Sequence, residues 1–98
     1  MVKTDVDTNG NHITISAEGA FGFNMVSEFR NSYVEYKEYD FTVDFRKVDY
    51  IDSAGLGMLL NMQNYLEKKD LEIRITNPLP QVKKILMISR FDKKFIID

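Results

Sequence analysis

The stretch Tyr50-Ile51-Asp52-Ser53-Ala54-Gly55-Leu56-Gly57-Met58 joins two patterns of different period. Upstream, Phe41-Thr42-Val43-Asp44-Phe45 places three apolar side chains on one face of a strand. Downstream, Gly55, Leu59, Met62 and Leu66 fall on one line at about 100° per residue, the core stripe of a helix running from Ser53 to Lys68. The stretch therefore reads as a strand end, a tight corner and a first helical turn. The N–H groups of that turn lack intrahelical partners and the macrodipole is positive there, so the corner favours negative charge. Ser53 supplies one hydroxyl at this point. A phosphate on it would be held locally while changing the surface shown to a partner. Asp or Ser in this place is also an ordinary N-cap, and both readings stand.

Working outward, His12-Ile13-Thr14-Ile15-Ser16-Ala17 alternates with period two and follows the turn signal Asn9-Gly10. Lys3 to Thr8 is then the first strand of a hairpin. Leu71 to Thr76 and Lys94 to Ile97 read as two further strands, the former ended by Asn77-Pro78. Met25 to Tyr36 forms a helical stripe of Val26, Phe29, Tyr33 and Tyr36, with Asn24 as its cap. Pro80 to Ser89 forms another, with Val82, Ile85, Leu86 and Ser89 at helical spacing and Pro80 in the first turn. Strands that alternate cleanly differ from the continuous apolar strands of a sheet covered on both faces. The order β-β-α-β-α-β-α-β thus predicts an α/β fold: a mixed sheet of about five strands, helices mainly on one face.

The helix after the corner carries more apolar surface than one sheet contact needs. Leu56 and Leu60 form one shoulder of its stripe, Met58 and Tyr65 the other, and Asn61, Asn64 and Lys68 the far side. Either neighbouring helices cover these shoulders or one of them meets a partner protein. Gly55 and Gly57 each lower helix propensity by about 0.8–1 kcal/mol relative to Ala, and neither is needed for a cap. Both admit close approach, Gly55 of the sheet and Gly57 of another backbone.

The bulk numbers narrow the function classes. Ninety-eight residues with no interrupting linker predict one domain spanning 1–98, burying roughly 60–70% of its unfolded surface. A net charge of −2 with mixed signs leaves no basic footprint for nucleic acid. No apolar run approaches the ~18 residues of a membrane span, and the first residues lack a signal-peptide pattern. With no cysteine there is neither a disulfide nor a thiolate site, and the cytoplasm is the simplest location.

Catalysis is not expected. Asp44, Asp49 and Asp52 lack EF-hand spacing and read as solvated carboxylates, so no metal or other cofactor is expected. His12, the sole histidine, sits by the first hairpin, far along the chain from Ser53, and the corner is not a G-x-S-x-G elbow. Gly55-Leu56-Gly57 has none of the spacing of a phosphate-cradling loop. Any phosphate on Ser53 has to be delivered by another protein.

Asp52-Ser53-Ala54-Gly55-Leu56-Gly57-Met58-Leu59 resembles the motif of the STAS domain, in particular of the bacterial anti-sigma factor antagonists. Asn77-Pro78 with Val82-Lys83-Lys84-Ile85-Leu86-Met87-Ile88-Ser89 resembles the third-helix segment of that family. Gly19 after the second strand and Asp44 ahead of the motif also fit. The resemblance implies the STAS fold and a protein switched by phosphorylation of Ser53. It also implies an HATPase-type serine kinase, often the anti-sigma factor itself, and a PP2C-like phosphatase as partners. Two places depart from the family pattern: Gly22 stands where many members carry Asp, and the family often adds a last helix after the point of Asp98.

Two functional readings follow. In the first, the unmodified corner Asp52-Ser53-Ala54-Gly55 with Leu56, Gly57, Leu60 and the loop Phe21-Gly22-Phe23-Asn24 docks on a regulatory partner. Phosphorylation then adds roughly −1.5 to −2 charges beside Asp52 and releases it. In the second, the same helix start binds a small anion or nucleotide independently of phosphorylation. The absence of Lys and Arg from Asp49 to Gly57 weighs against that pocket, although Arg46 and Lys47 are not far along the chain.

Overall fold

A computed structural model describes all residues from Met1 to Asp98. Strands β1 (Val2–Asp7), β2 (His12–Phe21), β3 (Asp40–Ile51), β4 (Arg74–Thr76) and β5 (Ile96–Ile97) form one sheet in the order β1-β2-β3-β4-β5. β1 is antiparallel to β2 and every other neighbouring pair is parallel. Helices α1 (Val26–Asn31), α2 (Ser53–Tyr65) and α3 (Pro80–Ile88) connect the parallel strands. Short 3-10 turns precede α1 at Phe23–Met25 and β5 at Phe91–Lys93. The mixed five-stranded sheet expected from the alternation is present.

One face of the sheet carries the core. Ile13, Ile15 and Ala17 of β2, Phe41, Val43 and Phe45 of β3 and Ile75 of β4 are buried. Their alternates His12, Thr14, Ser16, Thr42, Asp44 and Thr76 are half-buried and polar, which is what strands with a single covered face require. His12 Nε2 and Thr42 Oγ1 lie 2.8 Å apart on that open face, away from any Ser53 chemistry. Where the strands end, Phe21 sets its ring edge-on to Phe29 of α1, with centroids 4.9 Å apart, and equally close to Phe45 of β3.

Several element boundaries differ from the sequence expectation. β2 runs on to Phe21, so Gly19 lies inside the strand, at φ 96°. β3 runs without a break from Asp40 to Ile51, well past the Phe41–Phe45 alternation, which places Asp49 on the strand. The register against β2 shifts between Ser16 and Glu18 and again between Gly19 and Ala20, each time by one extra β3 residue. The buried positions of β3 are accordingly Phe41, Val43, Phe45, Val48 and Ile51, a spacing that local alternation does not reveal.

The first helix is shorter than its stripe. It stops at Asn31, with turns onward to Tyr39, and its Val26 is 42% exposed while Phe29 and Tyr33 are buried. Asn24 is not its cap: Met25 holds that position and no side chain bonds the free N–H groups. Helix α2 ends at Tyr65, α3 at Ile88, and only Arg74–Thr76 and Ile96–Ile97 pair as strands near the C-terminus. Ile85 and Ser89 are exposed, so α3 packs through Val82 and Leu86 alone of its expected stripe. The hairpin between β1 and β2 turns over Thr8–Asn11, where Asp7 Oδ1 accepts from the N–H groups of Asn9 and Gly10.

Candidate functional site

Asp52 is the N-cap of α2. Its backbone is extended, and its Oδ1 accepts the Gly55 N–H at 2.8 Å. A short acceptor side chain at this point satisfies one of the unpaired donors of the helix start. Ser53 is then the first helical residue, exposed, and its hydroxyl makes no hydrogen bond within the chain. Of the two residues that sequence offers as cap, the aspartate takes the role and the serine is left free at the surface.

Two glycines join this corner to the end of β2. A Cβ on Gly55 would overlap the carbonyl oxygen of Phe21 and come within 2.9 Å of Ile51 Cγ1. The first turn of α2 thus rests directly on strand backbone, which no other residue type permits. A Cβ on Gly22 would lie 2.6 Å and 2.7 Å from the two carboxylate oxygens of Asp52. Gly22 is in extended backbone, with φ −164°, so the requirement here is space and not conformation. The loop of Phe21, Gly22, Phe23 and Asn24 and the cap of α2 therefore meet in one place.

Around that place the apolar residues divide. Phe21 is fully buried, whereas Phe23, two residues on, is 81% exposed. Asn24 is exposed, Ala54 half-buried and Gly55 buried. Leu56 and Leu60 are half-buried and pack against the core, so their shoulder is partly covered by the fold and partly open. The other shoulder turns toward α1: Met58 is buried, and the Tyr65 hydroxyl donates to Val34 O at 3.0 Å. Gly57 has no atom within 4 Å of where a Cβ would stand.

The structure thus brings the end of β2 and the loop after it against the first turn of α2 through Gly22–Asp52 and Phe21–Gly55. Phe21 and Gly55, both buried, offer no side chain to a partner. Sequence reasoning missed two exposed apolar neighbours. Val26, three residues after Phe23, shares the helical stripe of Phe29 and Tyr33 yet is 42% exposed, and Tyr50, 59% exposed, precedes the motif on β3. It also missed the Gly22–Asp52 contact, for which two residues thirty positions apart give no local signal.

No lysine or arginine bonds to a corner side chain. The ion pairs of the chain lie elsewhere, among them Arg46–Asp44 at 3.2 Å, Lys47–Glu18 at 4.0 Å and Arg74–Asp98 at 2.6 Å. A hollow of about 470 Å³ on the open face of the sheet is lined by residues of the β1–β3 region, including Lys3, Ser16, Asp44 and Arg46. It contains none of the corner residues. No group of His, Cys, Asp and Glu side chains is arranged to hold a metal ion, and no helix is long and apolar enough to cross a membrane.

Comparison with known proteins gives the geometry its family. The profile described as "Mlab, STAS domain" matches residues 4–98. A STAS-domain containing protein of Pseudomonas aeruginosa, PA14_20770, is 36% identical over 91 residues, covering 91% of this chain and 90% of that protein. The anti-sigma factor antagonist SpoIIAA in its unphosphorylated form superposes with a TM-score of 0.79 at 18% identity, over 100% of this chain and 88% of that one. The Bacillus cell fate determinant SpoIIAA in its phosphorylated form gives 0.69 at 17% identity, over 100% and 91%. Sheet order, the helix seated on the end of β2 and these matches agree: the chain belongs to the STAS domain family.

Proposed function

We propose that this protein is a phosphorylation-switched binding module, which docks on a regulatory partner while Ser53 is unmodified and leaves it when Ser53 is phosphorylated. The observation that carries the reading is the free, exposed hydroxyl of Ser53 at the first residue of α2, with the capping role already filled by Asp52. A hydroxyl with no structural duty at an electropositive helix start is open to a kinase. The phosphate would gain about 0.3–2 kcal/mol from the helix end. The same charge buried in an apolar interface with no matching cation costs more.

The docking surface in this reading is Phe23 and Asn24 on one side and Ser53, Ala54, Leu56, Gly57 and Leu60 on the other. Gly22, Asp52 and Gly55 set its shape. The partner is an HATPase-type serine kinase of the anti-sigma kind or a similar regulator, and a PP2C-like phosphatase resets the switch. Fold relatives known in phosphorylated and unphosphorylated forms support this assignment. A coupling of ~1–3 kcal/mol between phosphate and partner corresponds to roughly 5–150-fold in affinity.

The test has two parts. Phosphosite mass spectrometry on the protein isolated from its own cells should find phosphate on Ser53. Proteins co-isolated with Ser53→Ala should include a kinase or regulator that is depleted with Ser53→Asp. Equal recovery of the same partners by both variants, together with an unmodified Ser53 under every growth condition, would overturn the reading.

A further inference from the structure

β1 forms one border of the sheet and pairs only with β2. Its hydrogen-bonding direction follows from its first pair. The Glu18 N–H donates to Met1 O at 2.8 Å, and the Met1 amine donates to Glu18 O at 3.1 Å. Bonded pairs alternate along an antiparallel ladder, so Lys3, Asp5 and Asp7 turn their backbone groups to β2 and Val2, Thr4 and Val6 turn theirs outward. The Val2 N–H bears this out, being accepted from outside the ladder by the Glu28 carboxylate at 2.8 Å. Opposite Ala17, Ile15 and Ile13, the side chains of Val2, Thr4 and Val6 share the helix-covered face, where Val6 is 41% exposed. Lys3, Asp5 and Asp7 stand on the open face.

From this edge we infer that β1 pairs with β1 of a second copy of the chain, antiparallel, about a two-fold axis through Thr4. Charges on a border strand normally keep strange strands away. Here their order is self-complementary in one register. Centred on Thr4, Lys3 faces Asp5 of the second copy, Asp5 faces its Lys3, and Val2 and Val6 face one another. Centring on Lys3 opposes two lysines, and centring on Asp5 opposes two aspartates between its two Lys3–Asp7 pairs. Centring on Val6 opposes Asp5 to Asp7, so of these registers only that on Thr4 is free of a like-charge pair. The Thr4 register is also one in which outward-pointing residues meet outward-pointing residues, as the ladder demands. It offers bonds from the outward backbone groups of Thr4 and Val6 at once. Those of the Val2 N–H form when Glu28 yields it, so the Glu28 carboxylate competes with the second copy.

None of the docking residues from Phe23 to Leu60 lies on β1, so self-association and partner docking use different surfaces. Sedimentation velocity of the full chain between ~10 μM and ~1 mM reads the proposal directly. Wild type should show a reversible monomer–dimer equilibrium. Lys3→Glu and Asp5→Lys should each weaken it about tenfold, because two attractive cross-strand pairs become repulsive. The double variant Lys3→Glu/Asp5→Lys should restore it, and Glu28→Ala should strengthen it. Thr4→Pro should abolish it without loss of the circular dichroism spectrum, since the Thr4 nitrogen makes no bond to β2. Should Thr4→Pro not fold, the charge exchange alone decides. Wild type and Glu28→Ala that stay monomeric throughout, or a dimer that the double exchange fails to restore, would overturn the inference.

Discussion

The carboxylate of Asp52 lies over the bare Cα of Gly22, so close that a methyl group on Gly22 would meet both of its oxygens within 2.7 Å. Because the obstacle is the end of a mobile side chain and not backbone, a larger residue at position 22 is accommodated by moving Asp52. That movement breaks the bond to the Gly55 N–H. Losing such a cap costs about 0.5–2 kcal/mol. Gly22→Ala and Asp52→Ala should each lower stability by roughly 1 kcal/mol, and the double variant by clearly less than their sum. Urea denaturation of the four proteins measures the cycle. The same logic applies to Gly22→Asp, which should displace the cap and lower stability by a similar amount.

Gly55 and Gly57 are two residues apart on one helix and should respond oppositely to alanine. At Gly55 a Cβ overlaps the Phe21 carbonyl, and either α2 or the end of β2 has to move. Gly55→Ala should cost ~3 kcal/mol or more, seen as a large fall in the urea midpoint or as insoluble protein. At Gly57 the space is empty. Gly57→Ala should raise stability by about 0.8–1 kcal/mol through helix propensity. In the proposed docking mode the same methyl group enters the space of the partner, and affinity should fall while stability rises.

Phe23 offers a third contrast. At 81% exposure it contributes little to the core, and Phe23→Ser should change folding stability by no more than about 0.5 kcal/mol. If the corner is a docking surface, an exposed aromatic at its rim is an anchor, and loss of ~2 kcal/mol of partner binding is expected. Calorimetric titration of the partner identified with Ser53→Ala separates the two quantities. Unchanged affinity would remove the Phe23 loop from the interface.

Tyr33 gives the chain a pH signature. Burial pushes its hydroxyl above the ordinary value of 10.0, the Arg30 guanidinium acts in the lowering direction, and Tyr65 adds to the rise. The unfolded chain then releases this proton at lower pH than the folded one. The contribution is whole below about pH 10 and is lost as pH rises toward the raised folded value. Stability should decline through that alkaline window, and Tyr33→Phe should flatten this part of the decline. Urea midpoints on either side of pH 10 check the sign, and the ultraviolet titration difference between wild type and Tyr33→Phe should isolate the late proton of Tyr33.

Much of this was readable from residues close together in the chain. The alternation of His12–Ala17 and Phe41–Phe45 marked strands with one covered face, and the line Gly55, Leu59, Met62 and Leu66 is buried as its period required. What could not be read depends on partners distant in sequence. Past Phe45 the two extra residues of β3 reset the alternation, so the run from Arg46 to Asp49 has no clean strand period although it belongs to the strand. Val26 has the helical spacing of Phe29 and Tyr33, but the six-residue α1 buries only Phe29 and leaves Val26 42% exposed. Leu71 looked like strand, yet it takes a left-handed backbone, with φ 64°, and its N–H donates to Lys94 O outside the β4 ladder. The corner itself was legible by composition, while the contact that shapes it, Gly22 with Asp52, was not.

With the first turn of α2 pressed on the Phe21 carbonyl, and Phe21 wedged between Phe29 and Phe45, strand tip and helix tip make one stiff bracket. A bracket of this kind has no slack for tilting or sliding when its outer face acquires a new group. In the proposed switch, phosphate on Ser53 therefore acts through surface charge, and the backbones of the modified and unmodified protein should superpose almost everywhere.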